Sequence, residues 1–340
     1  MRKLTAEIYV YIYGNNLTKL MKEITTPKTL LEAINYFSNE AVCVKFLEQF
    51  RFVESDGKPV CPYCGSLNVC SLTTRPAYRC REKGCKKGFS LKKGSIMEDS
   101  PIPITKWVPA IWFILNHKNG VSSYEVGRAL GIHQGSAWFM MHRIRKAISD
   151  GSFEKMKGTV EVDETHVGGK EKFKHRLKHS SLQTWKNRQN KYKKTTVMGM
   201  VERETGEFRG KVVDSQRRKD LIPEIKANVA EGATIYTDDL ASYDRLSEVY
   251  NHDSINHTLG QYAKGDVHTN TMENFWSCFK RSIKGTYIQI APFHLDRYLD
   301  EQAFRYNYRK LDDAGRFATA MPKIFGKRLT YAQLTGKSLQ

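Results

Sequence analysis

Two cysteine knuckles constrain this chain more tightly than any other stretch. They are Cys61-Pro62-Tyr63-Cys64-Gly65 and Cys80-Arg81-Glu82-Lys83-Gly84-Cys85. Each closes on a tight turn, and Gly65 follows the first pair as a knuckle requires. Two such turns, fifteen residues apart, can present four thiolates tetrahedrally to one zinc ion. Strand-like runs at 69–73, 77–79 and 88–91 lie around them, which predicts a zinc ribbon over residues 53–98. A module so short cannot build a core of its own, and metal binding takes the place of one. The second pair has four intervening residues where the first has two. Cys70 is expected outside the tetrad. Cys43, beside an apolar helical stripe, is expected to be a small buried hydrophobe.

The chain has seven cysteines, an odd number, four of them tightly grouped. That grouping points to metal rather than disulfides. The apolar run at 8–13 is too short for a secretory signal, so a reducing cytoplasm is expected. There is no run of eighteen apolar residues, which argues against a membrane-spanning helix. With 340 residues and 40% hydrophobic content, two or three folded domains are expected. The formal charge of +19 favours a polyanionic partner, nucleic acid before anionic lipid. Basic residues crowd the ribbon (Arg75, Arg79, Arg81, Lys83, Lys86, Lys87), making phosphate contact there plausible.

Residues 1–52 form an N-terminal helical region. Leu30, Leu31, Ile34, Phe37, Val42, Phe46 and Phe50 recur at helical spacing and predict one helix over 28–51. Residues 99–152 also read as helical. A capped helix ends at Gly131, and a second, over 134–149, carries Arg143, Arg145 and Lys146 off its apolar face. Helix, glycine turn, helix is the helix-turn-helix layout, whose second helix can enter a major groove. Gln134, Ser136, His142 and Arg143 are then the candidates for groove contacts. An ordinary packing hairpin explains the same pattern.

Residues 153–315 form the largest domain. The run 159–167 alternates like a strand, so Glu161, Asp163 and Thr165 share a face. A dense basic insertion at 169–195 follows, interleaved with aromatics, either a flexible loop or a nucleic-acid contact. Strands at 196–201 and 207–213 are joined by Glu204-Thr205-Gly206, and a helix covers 218–229. The strand at 233–238 ends in Asp238-Asp239, residues 240–248 read as a short helix, and 253–256 as a further strand. A helix at 271–284 buries Met272, Phe275, Trp276 and Phe279. A last helix spans about 292–310, with a tail at 316–340. This order predicts an α/β fold of the ribonuclease-H-like class, a mixed sheet flanked by helices.

Glu273 and Lys280 are seven residues apart, so they share a helix face about 10 Å apart along the axis. The bland alternative is a solvated charged face. Asp163 and Asp238 change the balance. Carboxylates brought together at strand ends repel one another unless a cation sits between them. Oxygen ligands with open positions suit magnesium or manganese, and two such ions can clamp a phosphate.

The chain resembles insertion-sequence transposases of the zinc-ribbon, DDE type, the ISXO-like group. The likeness covers residues from about 30 to 312. It rests on the first knuckle, on Val162-Asp163-Glu164-Thr165 with Val167-Gly168-Gly169-Lys170, on Tyr236-Thr237-Asp238, and on His268-Thr269-Asn270-Thr271-Met272-Glu273-Asn274-Phe275-Trp276-Ser277 with Lys280-Arg281. Phe304-Arg305-Tyr306-Asn307 also fits. The resemblance implies that Asp163 and Asp238 are the first two catalytic carboxylates. The third is Glu273 or its neighbour Asn274; they point about 100° apart on a helix, so one of them faces the metals. Glu161 and Glu164 are second choices. It implies two magnesium or manganese ions, a structural zinc on Cys61, Cys64, Cys80 and Cys85, and phosphate contacts from Lys280, Arg281 and Lys284. The ribbon and the helical pair, with Arg143 and Arg145, would read terminal inverted repeats. Hydrolysis at the element end, followed by attack of the freed 3′-hydroxyl on target DNA, is the implied chemistry. It would be carried out by a homodimer or larger assembly on the nucleoid of a bacterial cytoplasm, with no membrane partner. The rivals are a nuclease of the same fold that cuts without joining, and a zinc-ribbon DNA-binding protein without strand transfer.

Overall fold

The computed structural model describes residues 26–73, 75–149, 154–168, 194–255 and 268–336. The first 25 residues, and nearly all of the basic insertion at 169–195, lie outside them. The chain forms two compact units. One runs up to Ser149 and resumes at Tyr308; the other spans Asp150–Asn307.

The first unit opens with α1 (Leu30–Phe37) and α2 (Glu40–Arg51). The single helix expected over 28–51 is therefore two. The break follows from Asn39, whose side-chain oxygen accepts from the Ala41 and Val42 amides at 2.9 and 3.4 Å. An Asn that can satisfy the first free amides of a helix favours starting one over continuing one. The ribbon strands β1 (Val69–Ser71), β2 (Ala77–Cys80) and β3 (Gly88–Ser90) pair antiparallel in that order. Three helices follow: α3 (Ile104–Asn116), α4 (Ser123–Leu130) and α5 (Gln134–Ile148). Ser122 caps α4, and Gly131, at φ 59°, ends it in the left-handed conformation.

The second unit is built on a five-stranded sheet. Its strands are β4 (Thr159–Val167), β5 (Thr195–Glu202), β6 (Phe208–Val213), β7 (Thr234–Asp238) and β8 (Asn251–Ile255), in the order β6-β5-β4-β7-β8. The first three pair antiparallel, and β7 and β8 continue in parallel from β4. This is the ribonuclease-H-like order expected from the sequence. Helix α6 (Arg218–Asn228) covers one face through Leu221 and Ile225, packed with Val160, Val162, Met198 and Met200. Helices α7 (Asn270–Ser282) and α8 (Leu295–Asn307) cover the other, where Met272, Phe275, Trp276 and Phe279 meet Val197, Val201 and Phe208. A five-residue π turn, 283–287, extends α7. The short helix expected at 240–248 is two separate 3-10 turns.

After α8 the chain rejoins the first unit through α9 (Asp313–Ala320) and α10 (Tyr331–Thr335). The stretch expected as a tail from 316 is core: Phe317 is fully buried and stacks on Phe46 at 5.7 Å. Its neighbours Met321 and Ile324 are buried as well.

Candidate active site

Strands β4 and β7 run side by side with Glu161 opposite Tyr236. Two residues further along each strand stand Asp163 and Asp238, so the register that pairs the strands also brings these carboxylates together. Glu164 joins them: one oxygen from each of the three lies within 4.8 Å of the others. Asp163 accepts from the Glu164 amide at 2.8 Å and from the Trp276 indole N–H at 3.0 Å. Both donors are neutral. Burial and the charge of Asp238 therefore dominate, and they raise the Asp163 carboxyl to about 6. Burial, then Asp238 and Asp163, push Glu164 to about 8. One Glu164 oxygen is buried without a hydrogen-bond partner among the described residues, and Gln216 stands 3.5 Å from the other. Clustered carboxylates, one with an oxygen left without a hydrogen bond, are the kind of donor set that a hard divalent cation takes.

Helix α7 crosses this cluster. Glu273 and Asn274 are both exposed on it, outside the group of three. The charge of Glu273 nevertheless reaches Asp163 and raises its pKa. Lys280 is half-buried, while Arg281 and Lys284 are exposed. Close approach of α7 to the sheet depends on Gly199, the cross-strand partner of Asp163. A Cβ there would stand 2.6–2.8 Å from atoms of Met272, Phe208 and Trp276. Glu161, one of the second-choice carboxylates, is fully buried and ion-paired to Arg203 at 2.7 Å, outside the cluster. Glu164, also a second choice from the sequence, is the one that joins the cluster, whereas the indole donor of Trp276 and the requirement for Gly199 were missed. Both depend on how strand and helix are seated against one another, which alternation alone does not give.

In the first unit, Cys61, Cys64, Cys80 and Cys85 form a second group within 4.8 Å. Cys61 and Cys85 sulfurs are 3.7 Å apart, and Cys64 and Cys80 sulfurs 3.6 Å. Four bonds of about 2.3 Å at tetrahedral angles would set sulfurs about 3.8 Å apart, so the cluster fits a structural zinc. Burial alone would raise the Cys61 thiol. The Tyr63 and Cys64 amides, with neighbouring thiols, outweigh it and bring it to about 7, while burial and the other thiols push Cys80 up to about 12, so the four cannot all be thiolates without a cation between them. Cys70 stands outside the group, and its thiol faces the Arg79 carbonyl. Cys43 is buried and its thiol is raised to about 12, chiefly by burial.

The helical pair α4–α5 places the expected groove contacts differently. Arg143 is 6% exposed and Arg145 1%. The Arg143 guanidinium donates to the carbonyls of Ile96, Glu98 and Leu329 at 2.8–3.1 Å. His142 is fully buried, and Gln134 donates to Ser123 at 2.7 Å. Arg143 thus ties parts of the unit together, Arg145 is buried, and a phosphate cannot reach Arg143 without breaking those bonds. A strong charge at helical spacing was legible in the sequence; the carbonyls that face it were not. Of the groove candidates, Ser136 is exposed.

Residues 155–307 match the ISXO2-like transposase domain, and residues 38–88 match a transposase zinc-ribbon domain. An uncharacterized protein in transposable element ISH50 of Halobacterium salinarum is 25% identical over 256 residues, which cover 73% of this chain and 84% of that protein. An uncharacterized transposase-like protein of Haemophilus influenzae is 32% identical over 97 residues, or 28% of this chain and 77% of the relative. Among the described residues, no helix is long and apolar enough to cross a membrane.

Proposed function

Since the chain belongs to the ISXO2-like zinc-ribbon transposases, we propose that it cleaves the phosphodiester at the ends of an insertion sequence and joins the freed 3′-hydroxyl to target DNA. The observation that carries this reading is the convergence of Asp163 and Glu164, within β4, with Asp238 at the end of the adjacent β7. Asp163 and Asp238 would hold two magnesium or manganese ions, with Glu164 near enough to add an oxygen and Glu273, or Asn274, approaching from α7. Two divalent ions there supply charge that offsets the negative charge gathering on the phosphate and ease loss of the proton from the attacking hydroxyl.

The protein's own groups do the rest. The Trp276 indole and the Glu164 amide orient Asp163. At neutral pH Glu164, raised to about 8, keeps a proton that a cation would displace, while Asp163, raised to about 6, is mostly ionised. Lys280, Arg281 and Lys284 extend along α7 and would steady the flanking phosphates. The zinc ribbon and α4–α5 would engage the terminal inverted repeats, without Arg143 and Arg145. The exposed basic side chains Lys83, Lys86 and Lys87 serve that contact better. Strand joining needs two element ends, so the working form would be a homodimer or larger, acting wherever the host DNA lies.

The test is strand transfer with pre-cleaved ends and magnesium. Wild type is expected to give joined products and Asp163→Ala none. Joined products from Asp163→Ala would overturn the assignment, and wild type that cuts but never joins would favour the nuclease reading.

A further inference from the structure

Helix α7 lacks the cap that its own sequence would be expected to supply. Its N-cap residue, Thr269, makes no side-chain capping bond. The free amides at the second and third helical positions, Thr271 and Met272, are accepted instead by Glu161 of β4, at 2.9 and 3.0 Å. The Thr271 hydroxyl donates to the same carboxylate at 2.9 Å. A carboxylate at a helix N-terminus is doubly favourable, because it satisfies orphan donors and faces the positive end of the dipole. Glu161 is fully buried, and Arg203 pairs with it at 2.7 Å. The same guanidinium lies 4.8 Å over the Tyr236 ring and donates to the His268 carbonyl at 2.7 Å. One ion pair therefore ties together β4, β7, the turn after β5 and the approach to α7.

We propose that Glu161 is a positioning residue for the carboxylate site, fixing where α7 carries Glu273 and Asn274 relative to Asp163 and Asp238. The inference rests on the reading of that site given above. Glu161 precedes Asp163 by two residues on one face of β4, and Thr271 precedes Glu273 by two on α7. At the far side of the cluster, the Trp276 indole grips Asp163 itself. The helix is thus pinned to β4 at two points, one on either side of Glu273. A helix held only by its apolar stripe can rotate or slide by fractions of a turn at modest cost, since side chains repack. Directional bonds to a buried, charged acceptor forbid that movement. This gives the His268-Thr269-Asn270-Thr271-Met272 segment a task distinct from ligation: it delivers the amides and the carbonyl that the Glu161–Arg203 pair holds.

The experiment uses the full-length protein with indole-15N tryptophan and two readouts, Mn2+ binding by electron paramagnetic resonance and the Trp276 indole N–H signal, assigned with Trp276→Phe. Glu161→Gln is expected to weaken Mn2+ binding by about tenfold, the loss typical when a partner that orients a ligand is removed, and to move the Trp276 signal upfield as its bond to Asp163 lengthens. Arg203→Lys and Thr271→Val keep the fold's bulk and remove part of the clamp, so they are expected to do the same more weakly. They decide the matter if Glu161→Gln does not fold. Wild-type Mn2+ affinity with an unmoved Trp276 signal in the folded variants would overturn the inference and leave the clamp as a stabilising contact only. If wild type and Asp163→Asn bind Mn2+ alike, the reading of the carboxylate site fails, and the Trp276 signal alone judges the clamp.

Discussion

The cysteine cluster and the carboxylate cluster are both sets of like ionisable groups drawn within 4.8 Å, yet they are made in opposite ways. The four cysteines come from two turns within twenty-five consecutive residues, and local backbone geometry shapes the site. Its sulfurs already stand at tetrahedral spacing, leaving no position for a further ligand. The carboxylates come from strands 75 residues apart in sequence, and only sheet register and the seating of a helix bring them together. Their oxygens are fewer than a hard cation needs, so room is left for a phosphate. A closed site built locally suits a structural role, and an open site built at long range suits the chemistry proposed for it.

The largest effect expected to sharpen this contrast is on the ribbon. Cys61→Ser, or a strong chelator, should release zinc and abolish the ribbon's folding transition, with an apparent loss on the order of 10 kcal/mol. The transition of the 150–307 unit should survive in calorimetry. Loss of both transitions together would break the claim that the ribbon site is local. Next comes Asp238→Ala, expected to lower strand joining by about a thousandfold or more while zinc content stays at one per chain. In the same assay, Glu273→Ala and Asn274→Ala decide between the two candidates on α7, and the one that removes activity is the third residue.

Gly199→Ala tests the long-range assembly itself. The added methyl should force Met272, Phe208 and Trp276 outward and destabilise the 150–307 unit by about 1–3 kcal/mol, measured by denaturant unfolding. An unchanged midpoint would mean that α7 does not need the close approach. The smallest expected effect concerns pH. Asp163 and Glu164 have folded-state values raised to about 6 and about 8. The folded protein therefore keeps protons that the unfolded chain has already released. Metal-free stability should fall as pH rises from about 4 to 8, because the unfolded state binds fewer protons across that window. The melting temperature of the metal-free protein should drop by about 5 °C between pH 5.5 and 8, and magnesium should restore it at pH 8. A flat profile would mean that the carboxylates do not repel one another as their spacing requires.

How much of this could be read from the sequence follows the same division. The ribbon was legible down to its ligands because its information is contained in two turns. Strand β4 and the apolar stripe of α7 were legible because alternation and helical spacing are local patterns. Asp163 and Asp238 could be suspected as a pair from their strand positions, the resemblance gave them roles, and the register of β4 against β7 brings them together. The destination of charged side chains was the least legible property. Arg143 looks like a groove contact until the carbonyls of Ile96, Glu98 and Leu329 are seen around it. Glu161 looks like a spare ligand until the amides of Thr271 and Met272 claim it. In both cases the partners come from elsewhere in the chain, and no pattern around the charge announces them. The helix break at Asn39 is the exception: its cause is local, and the capping preference of Asn was a signal available in the sequence.

The division of the chain at Ser149 and Tyr308 has a consequence for how the protein is made. On the ribosome, residues 150–307 emerge complete while the ribbon-bearing unit still lacks Phe317, Met321 and Ile324, which are buried in its core. The unit that begins first is finished last, and the usual N-to-C order of folding during synthesis is inverted. A frameshift or premature stop beyond 308 would leave the sheet and its carboxylates whole while opening the core beside the ribbon. Such a product would keep the sheet and lose the other unit.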